Sequence, residues 1–277
     1  MAQTDFPEIP PSRGDDLHNL EYMEDADLTL FMAGNQFMAM EKLLEAFQDG
    51  HPGVEKIFYE TLPPGLELKQ ILAGGALFRG QVLTGRPDVY TAVTEDAMET
   101  LKDRGIIDDY SVYLHNRLVL MVAEGNPKGI TGVEDLARED VRISQPGEME
   151  DIAKYIEDMY RQAGGEDLFL RIMEEKRAEA TTVFTIVHHR ETPLRITKGT
   201  VDVGPVWATE VENARRHGLK VEAVEVGPDL DQHDRVNYYM AVLKEAANKE
   251  NALAFMDFLR SKEAQGIYQS YGFVPEF

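Results

Sequence analysis

Three places in this chain bring together residue types that could do chemistry. The first is Leu28 to Phe47, LTLFMAGNQFMAMEKLLEAF. Leu28, Thr29, Leu30, Phe31 and Met32 form a short, nearly continuous apolar run, the pattern of a strand buried on both faces. Ala33-Gly34-Asn35 is a small polar turn, and beyond it Phe37, Met40, Leu44 and Phe47 fall on one helical face. In an open α/β sheet such a turn lies at the carboxyl end of a strand, beside the unpaired N–H groups and positive dipole end of the helix. That environment suits an anion or a polar ligand, although a plain βα unit with no ligand has the same pattern. The second place is Pro64-Gly65, just ahead of a short helix: a concavity of backbone N–H groups, or a proline-rich connector. The third is the unusual run His188-His189-Arg190, taken with Glu150-Asp151. Histidine can donate or ligate, and Arg190 offers a permanent fork for carboxylate or oxyanion groups. The pair could equally be one packed and one solvated histidine. His188 and His189 with Asp151 and Glu150 could also be read as a hydrolytic metal site. There is no HExxH, GxSxG or phosphate-binding glycine motif, so an enzyme is not the expected reading.

Composition narrows the classes. A length of 277 residues suits roughly two domains, and 43% hydrophobic residues suffice for real cores. Fifty acidic residues against 28 basic ones give a formal charge of −22, a field that disfavours nucleic acid and anionic membrane surfaces. Cysteine is absent, which removes disulfides, thiolate metal sites and cysteine nucleophiles. No apolar run approaches the roughly 18 residues of a membrane span, and no basic segment followed by an apolar stretch marks a signal peptide.

The elements that must position these residues follow in order. Residues 1–26 read as a polar lead-in, loosely held or lying across the surface. After the first helix come a strand from Val54 to Tyr59, a helix from Leu66 to Ala73, and a hairpin-like excursion from Ala76 to Arg86. Arg79 and Arg86, on that excursion, read as surface charges. A strand at Pro87–Val93 and a helix at Asp96–Asp103 complete the first block. New material then begins with the buried strand Arg117–Ala123 and a strand at Val141–Ser144. A helix follows at Asp151–Ala163, another helical stretch at Leu168–Lys176, and a third at Leu194–Lys198. Strands are expected at Val201–Trp207 and Val221–Val226, with Trp207 at the end of its strand. The last segment returns with a strand at Tyr238–Leu243 and a helix at Asn251–Arg260; Ser261 caps a second helix, which Gly272 stops. The pattern is βαβ material, an inserted α/β block, and a return.

The order and spacing of several pieces carry a family resemblance. They are LTLFMAGN from Leu28, KQILAG from Lys69, PDV from Pro87, NRLVLMV from Asn116, GTVDVGPVW from Gly199 and FLRSKEAQ from Phe258. Over roughly Leu28 to Phe273 the chain resembles the periplasmic solute-binding proteins of ABC transporters, in the class that includes molybdate- and tungstate-binding proteins. The resemblance implies the α/β, two-lobed type II periplasmic binding fold, with two lobes joined by two hinge crossovers. Lobe 1 would comprise 27–116 plus 237–277 and lobe 2 residues 117–236. It implies a monomer that captures a small oxyanion in the interlobe cleft and hands it to a membrane permease. It also implies a periplasmic or extracytoplasmic location, reached with a leader since removed, and no cofactor or nucleic-acid partner.

The family holds its ligand with neutral donors from loops at strand ends. Those positions fall here on Gly34 and Asn35, on Pro64 and Gly65, and in the other lobe on Glu150-Asp151, His188-His189 with Arg190, and Trp207. This sequence departs from the pattern: the family usually has serine at Asn35 and in the second loop, a Pro-Ala-Gly turn near Asp151, and tyrosine at Trp207. A carboxylate of Glu150 or Asp151 facing a tetrahedral dianion at about 4 Å would repel it by a few kcal/mol at an effective dielectric near 20. Those side chains therefore point away, or ligate a metal, or the ligand is not a simple oxyanion. The second expectation is accordingly a divalent transition metal, a metal complex or a small carboxylate bound in the same cleft, with His188, His189 and Asp151 as the metal ligands.

Overall fold

The computed structural model describes residues 6–147, 150, 152–185 and 188–277, with backbone alone at 188–190. The chain divides into two compact units, Met1–Leu114 with Asn237–Ser270 and Pro275–Phe277, and His115–Val236 with Tyr271–Val274. Residues 271–274, read from sequence with the first lobe, fall with the second unit.

In the first unit, β1 (Leu17–His18), β2 (Leu28–Phe31), β3 (Ile57–Glu60), β6 (Val89–Ala92), β7 (Ser111–His115) and β13 (Asn237–Val242) share one sheet, in the order β1-β3-β2-β6-β13-β7. All four residues of β2 are buried, as a strand covered on both faces requires. It runs parallel to β3 and β6, whereas the returning β13 is antiparallel to β6, with Tyr239 opposite Ala92. Helices α1 (Phe37–Gly50), α2 (Pro64–Ala73) and α3 (Glu95–Asp103) follow β2, β3 and β6, and α8 (Lys249–Leu259) and α9 (Lys262–Ser270) follow β13. Met40, Leu44 and Phe47 face inward along α1, and Phe47 meets Phe255 of α8 edge to face at 5.1 Å. Phe37, assigned to that same face from its spacing, is 41% exposed because it opens the helix beside the turn. Ser261 caps α9 through its Oγ, which accepts the Ala264 N–H at 3.2 Å.

The N-terminal stretch corrects the reading of a loose lead-in. Ile9 and Leu17 are buried with Leu62, Ala76, Phe78 and Leu83, where the hairpin of β4 (Gly75–Phe78) and β5 (Gln81–Thr84) packs. β1 adds an antiparallel edge to β3, Leu17 opposite Glu60 and His18 opposite Tyr59. Few apolar residues do this work among many polar ones, so sequence periodicity does not register it.

In the second unit the sheet order is β10-β9-β11-β8-β12. The strands are β8 (Leu118–Ala123), β9 (Ile143–Gln145), β10 (Thr182–Phe184), β11 (Val203–Trp207) and β12 (Val221–Glu225). β9, β10 and β11 run parallel, and β8 lies antiparallel between β11 and β12. The helices are α4 (Ile152–Leu170), a π-helical turn at Arg171–Glu175 leading into α5 (Lys176–Ala178), α6 (His188–Thr197) and α7 (Ala208–Arg216). α6 begins six residues earlier than the sequence suggested, because Pro193 lies within it rather than before it. A Cβ at Gly204 would come within 2.5 Å of Thr192 Cγ2 and 2.9 Å of Ser144 O, so α6 lies directly on β11 and β9 there.

Asp88, 1% exposed, ties three segments of the first unit together. Its carboxylate accepts the Thr29 N–H at 2.8 Å, the Asn248 N–H at 2.9 Å and Asn248 Nδ2 at 3.1 Å. Asp88→Ala strands these donors and should cost about 3 kcal/mol, read from the urea midpoint at unchanged slope.

Candidate functional site

At the carboxyl end of β2, Gly34–Gln36 form a single 3-10 turn before α1. The turn is held from beneath by Gln36, which is fully buried. Gln36 Oε1 accepts the hydroxyls of Tyr113 at 2.6 Å and Tyr268 at 2.8 Å, while its Nε2 donates to Thr91 Oγ1 at 3.1 Å. The Ala33 N–H donates to the same Thr91 oxygen at 2.7 Å. Burial pushes both phenols upward, so they stay protonated and keep donating. Gly34 has no room for a side chain: a Cβ would lie 2.8 Å from Thr61 O and 2.9 Å from Leu62 O. The first turn is thus laid against the second.

That second turn leads into α2, with Pro63 as the N-cap and Pro64 at the first helical position, where its missing N–H costs nothing. Leu66 and Glu67 donate to Pro63 O, and the Tyr90 hydroxyl donates to Pro64 O at 2.9 Å. No hydrogen bond among the described residues uses the N–H of Gly34, Asn35 or Gly65. Asn35 Oδ1 is likewise buried without a partner among them. Gly34, Asn35, Pro64 and Gly65 therefore lie at one end of one unit, on two abutting turns rich in neutral donors.

Beneath them are two acids that the sequence did not flag. Glu60, at the end of β3, and Glu67, in the first turn of α2, are fully buried. Burial pushes Glu60 up to about 8, against a Gln70 hydrogen bond that lowers it. Burial and then the neighbouring Glu60 push Glu67 well above the carboxylate range. Charged residues read as solvated in a sequence pattern, so neither one, nor Gln36, stood out.

In the second unit, Glu150 turns back on its loop: its N–H donates to Gly147 O at 3.0 Å and its Oε1 accepts the Thr185 hydroxyl at 3.0 Å. Trp207 ends β11 as expected, and at 5% exposed its ring meets Tyr155 edge to face at 5.7 Å. Asp151 lies outside the described residues, as do the side chains of His188, His189 and Arg190, whose backbone forms the first turn of α6. Among the described residues no group of three or more His, Asp or Glu is placed to hold a metal ion. Two further features come only from the fold. Arg195 on α6 spans the ends of β9 and β10, donating to Ser144 Oγ at 3.3 Å and Phe184 O at 3.2 Å, with Glu191 as its ion partner. Gln145, fully buried at the end of β9, accepts the Tyr160 hydroxyl at 2.6 Å and has no acceptor for its own Nε2 among the described residues.

Because the folded protein holds protons on Glu60 that the unfolded chain releases near pH 4.3, folding binds protons between about pH 4.3 and 8. This stability is fully present below the unfolded value and is lost as pH rises through the folded one. Urea unfolding at acid, neutral and alkaline pH should show this loss, and Glu60→Gln should flatten the dependence.

Residues 28–274 match the family described as bacterial extracellular solute-binding protein. A Bacillus subtilis (strain 168) chain named as an ABC transporter substrate-binding lipoprotein is 23% identical over 90% of this chain and 86% of its own length. A substrate-binding domain named for a molybdenum ABC transporter of Clostridium difficile superposes with a TM-score of 0.71, at 21% identity over 90% of this chain and 99% of that one. The sulfate-binding protein SubI of Mycobacterium tuberculosis H37Rv gives 0.68, at 19% identity over 90% and 86%. The architecture is that of the type II periplasmic binding proteins.

Proposed function

Since this chain belongs to the bacterial extracellular solute-binding proteins, we propose that its ligand is a small oxyanion of the molybdate or sulfate class. As an ABC transporter substrate-binding protein it works by binding rather than by catalysis, and its membership implies a transporter as partner. In this reading it collects the anion outside the cytoplasm and passes it to a membrane permease. The observation that carries the ligand class is the set of N–H groups of Gly34, Asn35 and Gly65, used by no hydrogen bond among the described residues, on two turns locked together. Neutral donors fixed in place stabilise an anion without reorganisation, and they need no buried cation that would bind water or protons when the site is empty. Four to six such bonds, at about 1.5–3 kcal/mol each to a charged acceptor, are enough for micromolar or tighter affinity after the cost of association. The names of the two superposed proteins, one for molybdenum transport and one for sulfate binding, support the same class.

The measurement is a melting-temperature and calorimetric panel of molybdate, tungstate, sulfate, small carboxylates and divalent metals. An oxyanion at about 100 times its dissociation constant should stabilise the protein by about 2.7 kcal/mol. Asn35→Asp, nearly isosteric, should weaken the oxyanion more than about tenfold by placing a carboxylate beside it, and leave ligand-free melting nearly unchanged. A cation would instead gain from the same substitution. Stabilisation by a divalent metal alone, strengthened in Asn35→Asp, would replace the oxyanion reading with the metal one.

A further inference from the structure

We propose that Glu60 and Glu67 are a pair of neutral carboxylic acids that position the second ligand turn, and that their ionisation weakens oxyanion capture. The proposal rests on the oxyanion reading for its ligand, though not for the state of the acids. Its basis is a count of donors and acceptors in a buried cluster. Glu67 Oε1 accepts the Leu62 N–H at 3.1 Å, so this acid grips the turn itself. Glu60 Oε1 accepts Gln70 Nε2 at 3.0 Å, and the same nitrogen donates to Thr84 O at 2.7 Å. Both amide hydrogens of Gln70 are therefore spent on acceptors, which fixes its orientation. Glu60 Oε2, Glu67 Oε2 and Gln70 Oε1 remain buried with no partner among the described residues. Three orphaned acceptors and no orphaned donor mean that the cluster lacks hydrogens. A proton on each carboxyl supplies O–H groups at the two carboxyl oxygens that lack partners.

The described surroundings offer no other remedy. Among the described residues the charged groups acting on Glu67 are Glu60 and Asp16, both acidic, and no cation acts on either member of the pair. His18 on β1 reaches the same turn, its Nε2 3.3 Å from Thr61 Oγ1, but burial holds it below its usual range and so favours the neutral ring. Tyr113 on β7 also senses Glu67 and remains a neutral phenol. Coupling to the ligand turns is direct. The Leu62 N–H held by Glu67 belongs to the residue whose carbonyl abuts Gly34, next to the free donors of Gly34 and Asn35. A carboxylate formed there would place negative charge, in a poorly solvated setting, behind donors aimed at an anion. The acids thus act through the turn as positioning residues and keep the site neutral.

The test is molybdate binding by calorimetry across the neutral and alkaline range, in wild type, Glu60→Gln and Glu67→Gln. Wild-type affinity should fall about tenfold or more as Glu60 ionises, whereas each amide variant should keep the neutral-pH affinity with a flatter profile. A purely structural role would lower melting temperature in the variants and leave the slope of the profile as in wild type. Infrared spectra of the ligand-free protein provide an arm independent of ligand. The carbonyl stretch of protonated carboxyls should be present at neutral pH, titrate away at alkaline pH, and lose one component in each variant. Absence of that band at neutral pH in wild type, or molybdate affinity indifferent to alkaline pH, would overturn the proposal. If molybdate, tungstate and sulfate all fail to bind while the band is present, the oxyanion reading falls and the neutral acid pair stands.

Discussion

The first unit depends on one amide. Gln36 joins the turn after β2 to Thr91 on β6, Tyr113 on β7 and Tyr268 on α9, so a single planar group reads the positions of four segments. All are buried, and a buried donor or acceptor left unpaired costs far more than a formed bond returns. The network therefore holds together or fails as a set. It also bears on the N–H groups of Gly34 and Asn35: the turn is held from below by the Gln36 side chain and the Ala33 N–H, and no hydrogen bond among the described residues engages those two donors.

Electrostatics imposes a second constraint. For a chain of net charge −22, the proposed capture of an anion works against its own long-range field. At physiological salt that field is screened within about 8 Å, so the decisive terms are those at contact. Backbone dipoles meet this requirement because they are strong at hydrogen-bond distance and weak beyond it. Arg195 does not change the balance, since Glu191 and carbonyl oxygens already engage its guanidinium.

Much of the architecture is legible in the sequence, and the reasons are physical. The run at Leu28–Phe31 declares a doubly covered strand, Gly272 has the left-handed backbone (φ 92°) of a helix stop, and the Ser261 hydroxyl caps α9. These signals are local, set by a few neighbouring residues. What the sequence hides is non-local. Glu60 and Glu67 look like surface charges until β3 and α2 close over them, and Gln36 looks like a turn residue until two tyrosines from distant segments meet it. Residues 6–26 hide for a related reason: Ile9 and Leu17 matter because of a hairpin some sixty residues later. In the second unit, Gln145 and Arg195 emerged only when the ends of β9 and β10 were brought together by the fold.

The antiparallel strand β13 has a consequence for how the molecule is made. It pairs with β6 across the whole of the intervening block, residues 115–236, and α8 and α9 come later still. During synthesis the second unit has most of its chain available first, while the sheet of the first unit waits with one side of β6 unpaired. Closing so long a loop costs entropy that grows only slowly with length, and a prefolded insert shortens the effective gap. The Tyr113–Gln36–Tyr268 contact then cannot form until the last helix has been synthesised. The turn after β2 is consequently among the last features of the first unit to become rigid.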